Sequence, residues 1–143
     1  MKIRFIMLGK TRRTEIRALL DDYVSRIRHY APIEVSELRE SSAAALRKLK
    51  LGPASILVLL DPAGKILTTP QFARWLGNHR DSASRELVFL CGDADGFPAD
   101  LRSAAREKIS LSPLTMPHEF ARVLLAEQLY RGFTILHGHP YSR

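Results

Sequence analysis

Hydrophobic and polar positions along the chain switch between two periods. The run "KIRFIML", residues 2–8, is apolar and β-leaning and stops at Gly9, which predicts a first strand. In "RRTEIRALLDDYVSRIRHY" the positions Ile16, Leu19, Leu20, Tyr23, Ile27 and Tyr30 recur at helical spacing, with Thr11 or Thr14 placed to cap. "IEVSEL" alternates as a short second strand would, and "SAAALRKLKL" is a run of good helix formers ended by Gly52 and Pro53. "SILVLLD" and "ELVFLCG" do not alternate at all, the pattern of strands covered on both faces. "TTPQFARWLGNHR" predicts a helix capped by Thr69 with Pro70 at its first position, "PADLRSAAREK" a helix opened by Pro98, and "ISLS" a short fifth strand. The longest helix is predicted from Pro117 to Leu136.

Strand and helix blocks alternate throughout, which requires crossover connections and therefore an α/β fold, a mainly parallel sheet with helices on both faces. No repeat, low-complexity stretch or linker divides the 143 residues, so one domain over 1–143 is expected. In such sheets ligands bind beyond the carboxyl ends of the strands. The loops to examine are thus "LLDPAG", "LCGDADGF" and "SLSPLTMPH".

The last helix carries too much apolar surface for one sheet face. At about 100° per residue, Phe120, Ala121, Val123, Leu124, Leu125, Ala126, Leu129, Tyr130 and Phe133 cover most of its circumference, and Glu127, Gln128 and Arg131 share one narrow side. A second copy of the chain is the expected cover, making a homodimer. Glu127 and Arg131 are spaced i, i+4 to pair. Arg122, roughly opposite them, is expected either in the subunit interface or in the site.

Charge narrows the partner class. The chain has 22 Lys+Arg against 15 Asp+Glu, a net charge of +7, and most of the cations are Arg, whose planar fork matches phosphate. RNA or DNA is the leading partner, against a merely solvated basic surface. The apolar runs are too short to span a membrane and no leader pattern precedes them, which predicts a cytoplasmic protein without membrane association. Cys91, alone at the end of an apolar run, is expected in the core.

Several side chains invite specific chemistry. "CGDADGF" has glycines at 92 and 96 that let a ligand approach the backbone, but it matches neither the dinucleotide fingerprint nor the P-loop. Asp61, Asp93 and Asp95 at neighbouring strand ends offer a rival reading, a Mg²⁺-dependent phosphoester hydrolase, although turn and capping roles are the commoner use of Asp in loops. His118 with the pair at 137 and 139 is a poor zinc pattern, and Ser110 and Ser112 lack a nucleophile-elbow context, so no metal is expected and serine catalysis has no support.

The stretch "ISLSPLTMPHEFARVLLAEQLYRGFTILHGHPYSR", preceded by the strand-end "CGDADGF" and by "LLDPAGK", closely resembles the SPOUT-class ribosomal RNA large subunit methyltransferase H family. The likeness runs along the whole chain and is strongest over residues 109–143. It implies a SPOUT fold with a carboxyl-terminal trefoil knot and a homodimer. It also implies S-adenosyl-L-methionine as methyl donor and N3-methylation of a pseudouridine in helix 69 of 23S rRNA within the ribosome. At matching positions it places cofactor contacts at Leu60, Gly92, Leu111, Ser112, Pro113, Leu114, Thr115 and Met116, and it sets His118, Arg122, Tyr141 and Arg143 towards the substrate. For the N3 proton His118 and His139 both qualify as acceptor, and Arg143 or Arg122 would stabilise the uracil anion. The tail "HGHPYSR" is then a candidate lid. One departure stands out: the family usually has two adjacent glycines where this chain has Gly92-Asp93, which bears on cofactor affinity and leaves a non-catalytic RNA-binding protein as the alternative.

Overall fold

The computed structural model describes residues 1–39, 44–82, 86–92 and 96–141. Strands β1 (Lys2–Leu8), β2 (Ile33–Leu38), β3 (Ser55–Ile66), β4 (Glu86–Cys91) and β5 (Glu107–Ser110) alternate with helices α1 (Thr14–Ile27), α2 (Ala45–Leu49), α3 (Thr69–Arg80), α4 (Ala99–Ala104) and α5 (His118–Leu136). The strands pair in parallel in the order β2-β1-β4-β3-β5.

The unbroken apolar runs occupy the middle of that sheet. In β4, Leu87, Phe89 and Cys91 join the core beneath α1, α3 and α5, and the intervening Val88 and Leu90 join a second core with Leu49 of α2 and Leu101 of α4. β1 and β3 divide their side chains the same way, so every second residue stabilises one layer, at roughly 1.5–3 kcal/mol for each large side chain removed from water. β2, at the sheet edge, keeps the mixed exposure its alternation predicted.

Four boundaries differ from the pattern reading, each for a local reason. The cap of α3 is Thr68, whose side chain accepts from Gln71 N at 3.3 Å while the Gln71 side chain accepts from Thr68 N at 2.9 Å; the capping box needs Gln three residues on, which moves the cap one place before Thr69. Neither threonine caps α1. Its N-cap is Arg13, and the Glu119 carboxylate from α5 accepts from Arg12 N and Arg13 N at 3.2 and 3.1 Å. β3 runs on to Ile66 and pairs with β5 through a register shift between Leu60 and Lys65. β5 starts at Glu107, two residues before "ISLS", and so cuts α4 short at Ala104. The shift brings Gly64 so close to β5 that a Cβ there would lie 2.6 Å from the Lys108 carbonyl carbon.

α5 buries Leu125, Ala126, Leu129 and Phe133 on the sheet between α1 and α3. Its surplus apolar residues stay outside: Phe120, Leu124 and Ile135 are each at least 40% exposed. Glu127 and Arg131 pair at 2.8 Å as their spacing predicts.

Candidate active site

A cavity of about 440 Å³ opens beside the middle of β3 and the carboxyl ends of β4 and β5. Leu60 and Asp61 enter it from β3, Cys91 and Gly92 from β4, and the chain from Ser110 to His118 closes one side. All eight positions expected to contact a cofactor, Leu60, Gly92 and Leu111 to Met116, line this one space.

Local hydrogen bonds set the shape of the "LSPLTM" loop. Ser110 Oγ donates to the Ser112 carbonyl at 3.1 Å, and Ser112 Oγ accepts from Leu114 N at 2.9 Å, two side-chain turns that hold the loop where no strand or helix does. The N–H groups of Thr115 and Met116 have no hydrogen-bond partner among the described residues and remain available to a ligand edge. Leu60, Leu111, Leu114 and Met116 supply apolar walls, with Leu114 78% exposed although it lines the cavity. Gly92 sits under the Phe97 ring, where a Cβ would come within 3.2 Å of Cζ. A volume in the usual ligand range, apolar walls and unpaired backbone donors fit an adenosyl group.

The polar neighbours are already engaged in part. Asp61 Oδ1 accepts from Ala63 N at 2.9 Å, the local turn role, while the residue faces the cavity. Cys91 is 1% exposed, and burial pushes its thiol up to about 12. Among the described residues no group of three His, Cys, Asp or Glu is placed to hold a metal ion. Asp93, Asp95 and Arg143 lie outside the described residues.

The expected catalytic residues separate along α5. His118, at its first position, lines the cavity. His139 and Tyr141 follow its last turn, and a helix of 19 residues is about 28 Å long. There the Tyr30 hydroxyl lies 2.6 Å from His139 Nδ1, and the Tyr141 ring stands edge-on to Tyr130 with the Arg131 guanidinium 4.5 Å from its centroid. Burial, then hydrogen bonding to Tyr23 and the Glu127 charge, push the Tyr141 phenol up.

Arg122 belongs to neither the interface nor the cavity. It is wholly buried, and its guanidinium donates to Thr11 Oγ1 and to the Leu8 and Gly9 carbonyls. Glu119 is the functional residue that the sequence reading missed. Burial pushes its carboxyl up, but the N–H bonds of Arg13 and Arg12 and the Arg122 and His118 charges outweigh that and hold it below the usual range. A carboxylate at the first turn of an apolar helix was the available signal.

This architecture recurs in solved structures. A probable methylase family protein from Haemophilus influenzae Rd KW20 superimposes with a TM-score of 0.62 at 9% identity, over 99% of this chain and 70% of that one. The SpoU methyltransferase AviRb from Streptomyces viridochromogenes, solved in complex with the cofactor AdoMet, gives 0.53 at 12% identity, over 90% of this chain and 56% of that one. Identities this low establish the fold alone. The model of the family described as predicted SPOUT methyltransferase matches residues 1–142. A ribosomal RNA large subunit methyltransferase H from Geobacter sp. strain M21 is 43% identical over 151 aligned residues, covering 99% of this chain and 98% of that one. The chain belongs to the SPOUT methyltransferases, in the family of these ribosomal RNA large subunit methyltransferases H.

Proposed function

We propose that this protein transfers the methyl group of S-adenosylmethionine to N3 of a pseudouridine in helix 69 of 23S rRNA, in the assembled ribosome. The observation that carries the reading is the convergence of Leu60, Gly92 and Leu111 to Met116 on a single cavity. Relatives bearing the large-subunit rRNA methyltransferase name along their full length and the net charge of +7 support an RNA substrate.

When bound, the cofactor supplies an electrophilic methyl group. The chain's part is to hold the uracil ring in line with it, and alignment of this kind contributes up to about 7–11 kcal/mol. N3 is an imide nitrogen whose proton has to leave, and His118, partly exposed at the cavity wall, accepts it. Arg122 is excluded as the cation facing the uracil anion because it is wholly buried outside the cavity, with its two terminal nitrogens donating to Thr11 Oγ1 and the Leu8 and Gly9 carbonyls. That role falls to the tail Arg143.

His139 and Tyr141 reach a cavity only across a homodimer. With two α5 helices crossed antiparallel over Phe120, Leu124 and Ile135, the tail of one protomer covers the cavity of the other. The carboxyl-terminal knot and a cytoplasmic location, beside the ribosomes, belong to the same reading; among the described residues no helix is long and apolar enough to cross a membrane.

The test is calorimetry with S-adenosylmethionine, followed by transfer of labelled methyl to isolated ribosomes. Binding with incorporation into 23S rRNA is expected. Absence of binding heat at millimolar cofactor would favour the non-catalytic alternative.

A further inference from the structure

The connection between β1 and α1 forms a second concave surface, separate from the cofactor cavity. Lys10, Thr11, Arg12, Thr14 and Arg17 line a groove of about 560 Å³. Its three cations are exposed. The side chains of Lys10 and Arg12 make no hydrogen bond or ion pair among the described residues. Some exposed cations elsewhere are neutralised, Lys2 by Glu34 at 2.8 Å, Arg13 by Glu15 at 2.9 Å and Arg26 by Asp22 at 3.3 Å, while Arg47 and Lys48 on α2 are unpaired among the described residues.

Two carboxylates stand beside the groove, and both are committed to its backbone. Glu37 accepts from Thr11 N, and Glu119 accepts from Arg12 N and Arg13 N. Arg17 donates to the Thr11 carbonyl at 2.6 Å and makes a long ion pair with Glu37 at 3.9 Å, which leaves Lys10 and Arg12 as the groove's unpaired cations among the described residues. The loop is thus held from below while like charges gather on its outer side, an arrangement that repels itself and that a polyanion relieves.

Position gives the groove its use. Glu119, which anchors the loop, follows His118, which lines the cavity, so groove and cavity flank the first turn of α5 on the same edge of the sheet. We propose that Lys10, Arg12 and Arg17 bind the phosphodiester backbone of the RNA substrate and fix its path towards the cavity. This rests on the rRNA reading above. It assigns the surface on which the nucleic acid lies, a contact that positions the RNA without reading bases.

The double variant Lys10→Gln/Arg12→Gln tests it, because neither side chain supports the fold. A charge-matched control is Arg47→Gln/Lys48→Gln on α2, exposed and leading into the amino end of β3, at the opposite sheet edge. Binding to isolated ribosomes is measured across a salt series, and S-adenosylmethionine affinity by calorimetry. Removing one cation from a phosphate makes the slope of log K against log salt shallower by roughly 0.7–0.9. The groove variant should bind ribosomes at least tenfold more weakly at low salt, with a slope shallower by about 1.5, while the control stays within threefold and all three proteins bind cofactor alike. Wild-type affinity and slope in the groove variant would overturn the proposal. Equal losses in both variants would reduce it to an effect of net charge and overturn it too. A wild-type protein that takes up cofactor but does not bind ribosomes would contradict the rRNA reading itself.

Discussion

The Arg122 guanidinium donates to Thr11 Oγ1 at 2.7 Å across 111 residues of sequence. It also reaches the Leu8 and Gly9 carbonyls at 2.8 and 3.1 Å, so one buried side chain of α5 fixes the end of β1 and the loop behind it. Arg122→Met keeps much of the volume but leaves those acceptors unpaired in the core. A loss of about 3 kcal/mol in unfolding free energy is expected, since hydrogen bonds to charged groups contribute about 1.5–3 kcal/mol each. Urea denaturation measures it, and a loss under about 1 kcal/mol would mean the loop is held by other contacts.

Glu119 makes the same junction sensitive to acid. Its carboxyl is held below the usual range in the folded chain, so its contribution is fully present above the unfolded value, near pH 4.3, and is lost as pH falls through the lower folded value. Wild type should therefore exceed Glu119→Gln in stability at pH 7, and the gap should close towards pH 3. Urea titrations of both proteins at the two pH values decide it. A gap that persists in acid would assign the difference to shape rather than to charge.

Gly64 sets how closely β3 and β5 approach. A Cβ at 2.6 Å from the Lys108 carbonyl carbon forces the strands apart, so Gly64→Ala should cost about 2 kcal/mol or more. Because β5 leads directly into the "LSPLTM" loop, cofactor binding should weaken along with stability. Calorimetry and thermal melting together check this. Unchanged affinity in a destabilised variant would separate the strand pairing from the cavity.

In the homodimer proposed above, the two ends of α5 predict complementation between subunits. His118→Ala and Tyr141→Ala homodimers should each transfer methyl slowly. Unfolded together and refolded, they should regain about a quarter of wild-type activity, because half of the dimers are mixed and each carries one intact site. Activity no higher than the average of the two variants would place both residues in the same protomer's site.

Much of this was legible in the chain. The unbroken runs at β3 and β4 announced a sheet covered on both faces, because a strand that divides its side chains between two cores has no polar face to alternate. The segments named from that pattern contribute to the cavity, although "LLDPAG" lies within β3 and is not a loop after it. Boundaries were set by longer-range partners. The backbone leading into α1 is held by Glu119 and β5 is drawn out by its pairing with β3, contacts that join distant segments. Arg122 was misplaced for the same reason: a charge opposite a Glu–Arg pair on a helical wheel points to an interface or a site, and only the Thr11 hydroxyl and the Leu8 and Gly9 carbonyls it meets make its burial tolerable. The spacing of His118 and Tyr141 did imply opposite helix ends, but the shared motif drew them together on paper.

The central claim is tested most directly by incubating ribosomes that lack the modification with this protein and methyl-labelled S-adenosylmethionine, then mapping 23S rRNA by mass. A single labelled methyl at N3 of a helix 69 pseudouridine is the expected result. Folded protein that binds the cofactor and leaves that nucleotide unlabelled would contradict the assignment.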